Sequence, residues 1–593
     1  MYSQLINKLH VTALVFALIF SGTLFTQDVN AENDDIDLIS VDLNIINAQI
    51  YTANPNQIWA QAVAIKDGKF VYVGDREGAY KFNAKRTVNL NGKVVIPALI
   101  DGHAHPGYVN VEQFGLVEGD TPAELLDAVQ KYAAANPDKK WLRLCCWPTE
   151  MFVNSRGGPQ KEILDAIVPE RLLWFESETA HDYWLNSKAL AEIGVDKYTI
   201  DPKTGLAEYV RDKNGEPTGW VKEGAGVQHF AKHFALRDKT HIQKHKESVA
   251  QTLQVFSRHG VTALFDAGNK GFGDHVYRVI AELEKEGKLP LRYFGTYQIF
   301  TPQRAKKAIS EIRRYRRMYA SEMLKFNSVK IFMDGITANR SAAYMQAYRG
   351  KDTRVEPLLS TTELTTLLIQ LHQERLDLMV HSIGDRSTKT VLDAVEAAQA
   401  TVVGKFYPRV TIAHLTLIDP PDLPRMKALG VIANFTPWWF GAYRNDVSEK
   451  LLGKQRYNSM YQAKTIFDTG ATVTFSSDEW WGGEMLATYI SPYLGMQIGH
   501  TRQNPKSWLS QPNNDIRAPI KERLSLQQLV KGYTANGAYQ LRLEQQLGSI
   551  EKGKAADLLV LNKNLFTSDT AQLYKLQPVA VLMNGRIMQG SLP

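Results

Sequence analysis

Two histidines separated by one residue are the first sign of chemistry in this chain. Asp101-Gly102-His103-Ala104-His105 ends the apolar run VVIPALIDGH. In an extended segment residues i and i+2 point the same way, so both imidazoles can reach one ion. Imidazole suits zinc, and manganese or iron can occupy similar sets. Alone the pair is a weak motif, because polar residues also end ordinary strands. Lys330 in NSVKIFMDG, His381 in LDLMVHS, His414 in RVTIAHL and Asp478 in ATVTFSSD change its weight. Each stands in or at the end of an apolar run. A lysine inside such a run is costly to bury as a bare ammonium. Carboxylated by CO2 to N6-carboxylysine, Lys330 becomes an anionic carbamate whose two oxygens can bridge two metals. The plainer alternative is an ion pair with Asp334 or Glu223. Each histidine alone can be a satisfied core group, but their common placement at successive strand ends has no such explanation.

The elements that must hold these residues follow from patterning. VVIPALIDGH, VTALFDAG, LRYFGTYQIF, NSVKIFMDG, LDLMVHS, RVTIAHL, GVIANFT and ATVTFSSD read as strands. Amphipathic helical patterns lie between most of them, for example Val249 to His259 and Thr361 to Arg375. Strands this apolar, alternating with helices, predict a parallel sheet buried on both faces. Eight of them predict an α/β fold, a (β/α)8 TIM-type barrel, whose sites lie at the C-terminal strand ends. The first interval, from about Gly107 to Glu247, is too long for one helix. It holds WLRLCCW, RLLWFES, a helix from near Asn186 and a hairpin at Asn214-Gly215, and predicts an inserted α+β subdomain over the barrel mouth. Both chain ends carry short strands with turns at Asp67-Gly68, Asn91-Gly92 and Asn584-Gly585, which predict a composite β-sandwich. The expected divisions are 37–97 and 545–593 for the sandwich and 98–544 for the barrel.

At 593 residues the chain exceeds one ordinary domain, and 44% hydrophobic with 22% charged residues excludes collagen-like, coiled-coil or disordered classes. Lys+Arg 69 against Asp+Glu 62 leaves a formal charge of +7 without any basic run, which argues against a nucleic-acid partner. The two cysteines are neighbours, Cys145 and Cys146; adjacent residues rarely form a disulfide, so two separate buried thiols are expected. Lys8, the apolar run Val11 to Phe25 and the small residue Ala31 read as a cleaved signal peptide over 1–31. The run is shorter than a membrane span, so a periplasmic or secreted protein without a stable span is expected.

The set His103, His105, Lys330, His381, His414 and Asp478 resembles that of the amidohydrolase superfamily. KVVIPALIDGHAHP, HDYWLNSKAL, GEPTGWVKE, KIFMDG, HSIGDR and SSDEWW are similar to motifs of its YtcJ-like branch, which includes N-substituted formamide deformylases. Ala98, where glycine is usual, and CCW, where Gly-Trp is common, depart from the pattern without touching a ligand. The resemblance implies one or two divalent ions, zinc by preference. His103, His105 and Asp478 are assigned to the first, His381 and His414 to the second, with carboxylated Lys330 between them. The expected reaction is hydrolysis of a non-peptide C–N bond, amide or formamide, by metal-activated water. Asp478 takes the water proton and passes it to the leaving amine. His181, in HDYW, is a candidate for holding the carbonyl oxygen, the alternative being a packing histidine. Trp147, Trp184, Phe332, Trp438, Trp439, Trp480 and Trp481 are candidates for an aromatic mouth around an apolar or aromatic small molecule. Gly384-Asp385-Arg386 is expected to turn into a helix capped by Asp385 or Ser387. The same site could serve a lactonase or ester hydrolase, or a non-catalytic metal-binding regulator, although a pure binder has no need of Asp478 as proton shuttle. A homodimer is a compatible assembly.

Overall fold

Strands apolar on both faces must be covered on both, and a closed ring wrapped in helices does this. The computed structural model describes residues 39–108, 115–153, 158–234, 239–442, 446–479, 488–505 and 515–593. The proposed signal segment and two of the expected mouth residues, Trp480 and Trp481, lie outside the described residues. The central sheet has eight strands in chain order: β1 (Leu99–Ala104), β2 (Val261–Asp266), β3 (Arg292–Ile299), β4 (Leu324–Phe332), β5 (Asp377–Ser382), β6 (Val410–His414), β7 (Ile432–Phe435) and β8 (Val473–Phe475). All seven neighbouring pairs are parallel. At the seam, Asp478 N–H donates to His103 O and His105 N–H to Glu479 O, both at 2.8 Å, drawing β1 against the chain leaving β8. The Asp101 carboxylate reinforces this seam, accepting from the amides of His103 and Ser477, each at 3.0 Å.

The run VVIPALIDGH is not one strand. Val94–Pro97 pairs with Leu558–Leu561 from the far end of the chain, and β1 begins only at Leu99. The break falls at Ala98, whose N–H donates to Asp557 O at 3.1 Å. A six-stranded sheet built from both chain ends packs on a four-stranded sheet, Ile39–Ile46 with Ala62–Lys66, Lys69–Gly74 and Phe82–Asn89. Ile45, Ile65, Phe70, Val95, Leu558 and Leu582 are buried in the core of this sandwich.

The insertion carries a six-stranded sheet of its own. Trp141–Trp147 and Leu172–Ser177 are parallel at its centre. Helix Pro122–Ala135, opened by a Thr121–Glu124 capping box, buries Leu125, Val129 and Ala133. Helix Ser187–Ile193 is capped by Asn186, whose side chain accepts from Ala189 N–H, as the sequence suggests. The expected helix over Val249 to His259 is the C-terminal half of a longer one, Lys239–Arg258. Helix Thr361–Glu374 falls where expected, with a Ser360–Glu363 capping box. Among the described residues no helix is long and apolar enough to cross a membrane.

Cys145 and Cys146 depart from expectation: they are joined to each other in a disulfide rather than standing as separate thiols. Pairing with Leu172–Ser177 shifts register between Cys145 and Trp147, and Cys146 takes a φ of 102°. This bulge releases Cys146 from the alternation of the strand and turns its side chain toward its neighbour.

Candidate active site

Successive parallel strands bring the candidate ligands to one end of the barrel. Register pairs Phe332 with His381 and Ser382 with His414, while Lys330 lies deeper on the face it shares with Phe332. Asp478 is the centre of the group. Its Oδ1 is 3.1 Å from His103 Nε2 and 3.4 Å from His105 Nε2, and its Oδ2 is 3.7 Å from His414 Nδ1. The rings of His381 and His414 are 4.5 Å apart, and Lys330 Nζ is 3.2 Å from His103 Nε2. All six expected ligands therefore converge. His103, His414 and Asp478 can each offer one ligand atom within 4.8 Å of the others.

Neighbouring groups orient these rings. His105 Nδ1 bonds the Gly268 carbonyl at 2.8 Å, leaving Nε2 directed at Asp478. His381 Nε2 is 3.2 Å from Gly335 O. Burial, joined by Lys330, lowers His103 to about 3. Burial also drives His381 and His414 well below the ordinary histidine range. Burial alone would raise Asp478, but His103 and His414 hold it well below the usual carboxylate range. Neutral imidazoles around an ionised carboxylate are the donor set that a divalent cation requires. His414 Nδ1 is buried without a hydrogen-bond partner, as fits a lone pair kept for an ion. Lys330 is fully buried and lowered to about 7 by desolvation. It forms no ion pair with Asp334 or Glu223; its near contacts are His103 and the Phe332 ring. The residues present thus fit a metal.

The backbone carries strain at the same places. His414 has φ 77° and Asp478 φ 52°, in the left-handed region that non-glycine residues rarely occupy. Such conformations cost on the order of 1–3 kcal/mol and persist where packing over-determines them, commonly at active sites.

Beside the candidate ligands is a cavity of about 390 Å³, within the range of small-molecule sites. His105 and Asp478 belong to its floor, and His181, Glu223, Leu206 and Ala207 bring the insertion into its wall. Phe332, Trp438 and Trp439 line it as expected, and the Trp439 indole stacks on His414 at 5.2 Å. Trp147 and Trp184 do not. Both are fully buried in the insertion's own core against Phe152, with each indole N–H bonded to a backbone carbonyl. They face into a sheet and its covering helices, away from the barrel. Phe300, Tyr461, Tyr108 and Lys270 line the cavity without having been anticipated. Lys270 is paired with the buried Glu176 and lies over the Tyr108 ring. An aromatic just past a strand end was the available signal for Phe300.

Asp334 is a staple rather than a ligand. Its carboxylate accepts from the amides of Ala343, Ile383 and Gly384 and from Ser387 Oγ. Helix Asp385–Thr401 consequently lacks the expected cap: Asp385 instead accepts from Met345 N–H, and Ser387 serves Asp334. His181 reaches the cavity with its Nδ1 2.6 Å from Glu223 Oε2. Burial would lower its pKa, but the Glu223 carboxylate outweighs that and raises it.

Residues 86–589 match the amidohydrolase family Amidohydro_3. The chain is 30% identical over 448 residues to the exoenzymes regulatory protein AepA of Pectobacterium carotovorum subsp. carotovorum, covering 72% of this chain and 92% of that protein. It is 26% identical over 568 residues to the N-substituted formamide deformylase of Arthrobacter pascens, covering 92% and 97%. Its fold resembles a crystal structure of an uncharacterized metal-dependent hydrolase from Pyrococcus furiosus, with a TM-score of 0.61, 21% identity and coverage of 88% and 100%. A match of this extent, on a barrel of this topology, places the chain in the amidohydrolase family.

Proposed function

We propose that this protein is a metal-dependent hydrolase of a non-peptide C–N bond, an amide or formamide, in a small apolar or aromatic substrate. The observation that carries this reading is the convergence of His103, His105, His414 and Asp478, with His381 and Lys330 beside them, at the barrel end where His105 and Asp478 form the floor of one aromatic-walled cavity. These residues would hold one or two divalent ions, zinc by the preference of imidazole, with Lys330, carboxylated to N6-carboxylysine, among the donors. A bound ion there supplies Lewis acidity toward a carbonyl and acidifies water. Asp478, held ionised, accepts a proton from the attacking water and returns it to the leaving amine. His181, protonated on both ring nitrogens against the Glu223 carboxylate, donates from Nε2–H to the carbonyl oxygen as charge develops on it. Phe332, Trp438 and Trp439 enclose the apolar part of the substrate and exclude bulk water. Lys8, the run from Val11 to Phe25 and Ala31 support export to a periplasmic or extracellular space.

The test is metal analysis of the purified protein with hydrolysis assays on N-substituted formamides, N-acyl amines and lactones. Amide turnover that is lost on chelation and restored by zinc is expected. A chelated protein as active as the native one overturns the reading. Turnover confined to lactones moves it to ester hydrolysis. Bound metal without any turnover favours the regulatory role in the name of the Pectobacterium relative.

A further inference from the structure

The carboxylate of Glu223 lies in the cavity wall but touches none of the metal-ligand candidates. It is 8% exposed, and both its oxygens are engaged. Oε2 is 2.6 Å from His181 Nδ1. Oε1 accepts from Asn339 Nδ2 at 2.9 Å and Ser341 Oγ at 2.7 Å, both in the loop that follows β4. The Glu223 amide also donates to the His181 carbonyl at 2.8 Å, so side chain and backbone of the two residues are joined together. Glu223 takes φ 50°, the left-handed strain seen at His414 and Asp478. Gly335 makes room for this arrangement, since a Cβ there would overlap Ser341 Oγ and Glu223 Oε1.

The orientation of an imidazole ring is set by the bond that one of its nitrogens makes. With Nδ1–H given to Glu223, Nε2 is the nitrogen left for the cavity, beside the His381 ring at 5.5 Å. We infer that Glu223 is a positioning residue: anchored by Asn339 and Ser341, it fixes the orientation of His181 so that Nε2 meets the substrate carbonyl. The dyad reaches across the seam between the insertion and the barrel, so the insertion contributes a polar group to the reaction as well as a wall. This inference rests on the hydrolase reading and deepens it.

The experiment compares Glu223→Ala, Glu223→Gln, His181→Asn and the double variant His181→Asn/Glu223→Ala in metal-replete protein, using whichever amide of the panel the native enzyme cleaves. Glu223→Ala is expected to lower kcat by about 10- to 100-fold with KM changed by less than about 3-fold. Glu223→Gln keeps an acceptor of the same shape and recovers most of that loss. In the His181→Asn background, Glu223→Ala costs no more than about 2-fold, because the group it acts through is gone. An equal loss in both backgrounds overturns the proposal, as it makes Glu223 a structural support. A second readout needs no substrate. In 15N-histidine-labelled protein, the His181 Nδ1–H resonance, assigned by its disappearance in His181→Asn, is expected to persist in Glu223→Gln and vanish in Glu223→Ala. Persistence in Glu223→Ala overturns the inference. Absence of amide turnover by native protein counts against the hydrolase reading, while the resonance still decides whether Glu223 holds the ring.

Discussion

Two pairs of tryptophans show how differently the barrel mouth and the insertion use the same side chain. Trp438 and Trp439 follow β7, remain partly exposed and line the cavity, one tethered to Ser477 O and the other stacked on His414. Trp147 and Trp184 are fully buried, pack edge to face at 6.2 Å and satisfy their N–H groups on carbonyls of their own subdomain. The contrast extends beyond the indoles. The barrel floor gathers buried histidines, a carboxylate and a lysine on a strained backbone, whereas the insertion's core is a set of apolar side chains between a sheet and its helices. One region holds chemistry at a cost in stability, and the other supplies stability to hold it.

The largest expected effect separates them most cleanly. Asp478→Asn should lower kcat by about 10²- to 10⁴-fold, the range for loss of a general base and acid. Part of the metal should remain bound, and the thermal midpoint should stay within a few degrees. Turnover, metal content and melting measured on one preparation decide it, and near-normal turnover removes Asp478 from the mechanism. In the insertion the sign of the comparison reverses. Trp184→Ala should cost about 3–5 kcal/mol of stability in urea unfolding. The folded fraction should keep kcat within about 3-fold. A kcat loss approaching that of Asp478→Asn would mean that this indole belongs to the site after all. Trp438→Ala lies between: KM for an aromatic amide should rise about 10-fold, the order of one lost aromatic contact, with little change in the urea midpoint.

These opposite roles were only half legible in the sequence. The clustering of the candidate ligands could be read because strand chemistry is local: His103 and His105 share a side by alternation, and a lysine in NSVKIFMDG is anomalous without knowledge of its neighbours. The barrel could be read for the same reason, from eight apolar runs separated by helical patterns. Long-range pairing could not. Nothing near Trp147 or Trp184 says which side of an inserted sheet they face, so an aromatic in that sheet and one at the mouth look alike. The division of VVIPALIDGH at Ala98 depends on a partner strand more than four hundred residues away, Leu558–Leu561, and hydropathy runs smoothly across it. The His181–Glu223 contact spans 42 residues and is anchored by Asn339 and Ser341 from the barrel, so only the folded chain reveals it. The disulfide between Cys145 and Cys146 depends on a bulge that no residue type in WLRLCCW demands.

The smallest effect tests the seam where the two regions meet. His245, on helix Lys239–Arg258 where the insertion returns to the barrel, is 3.1 Å through Nε2 from Gly107 O, where the chain leaves β1. Its Nδ1 is 2.7 Å from His275 Nε2. This arrangement needs a neutral ring that donates from Nε2 and accepts at Nδ1. Burial, followed by the neighbouring His275, accordingly lowers His245 to about 3 from an ordinary 6.5. The unfolded chain therefore binds a proton at this site below pH 6.5 that the folded chain refuses until about pH 3. Stability at this seam is present above pH 6.5 and falls as pH drops through that window, by up to about 1.4 kcal/mol per pH unit. His245→Gln keeps a donor for Gly107 O and an acceptor for His275 but cannot take the proton. In urea unfolding of metal-free protein, the variant should lose about 1 kcal/mol less than the native chain between pH 6.5 and 5.5. Parallel acid limbs would show that the seam is indifferent to this histidine's charge.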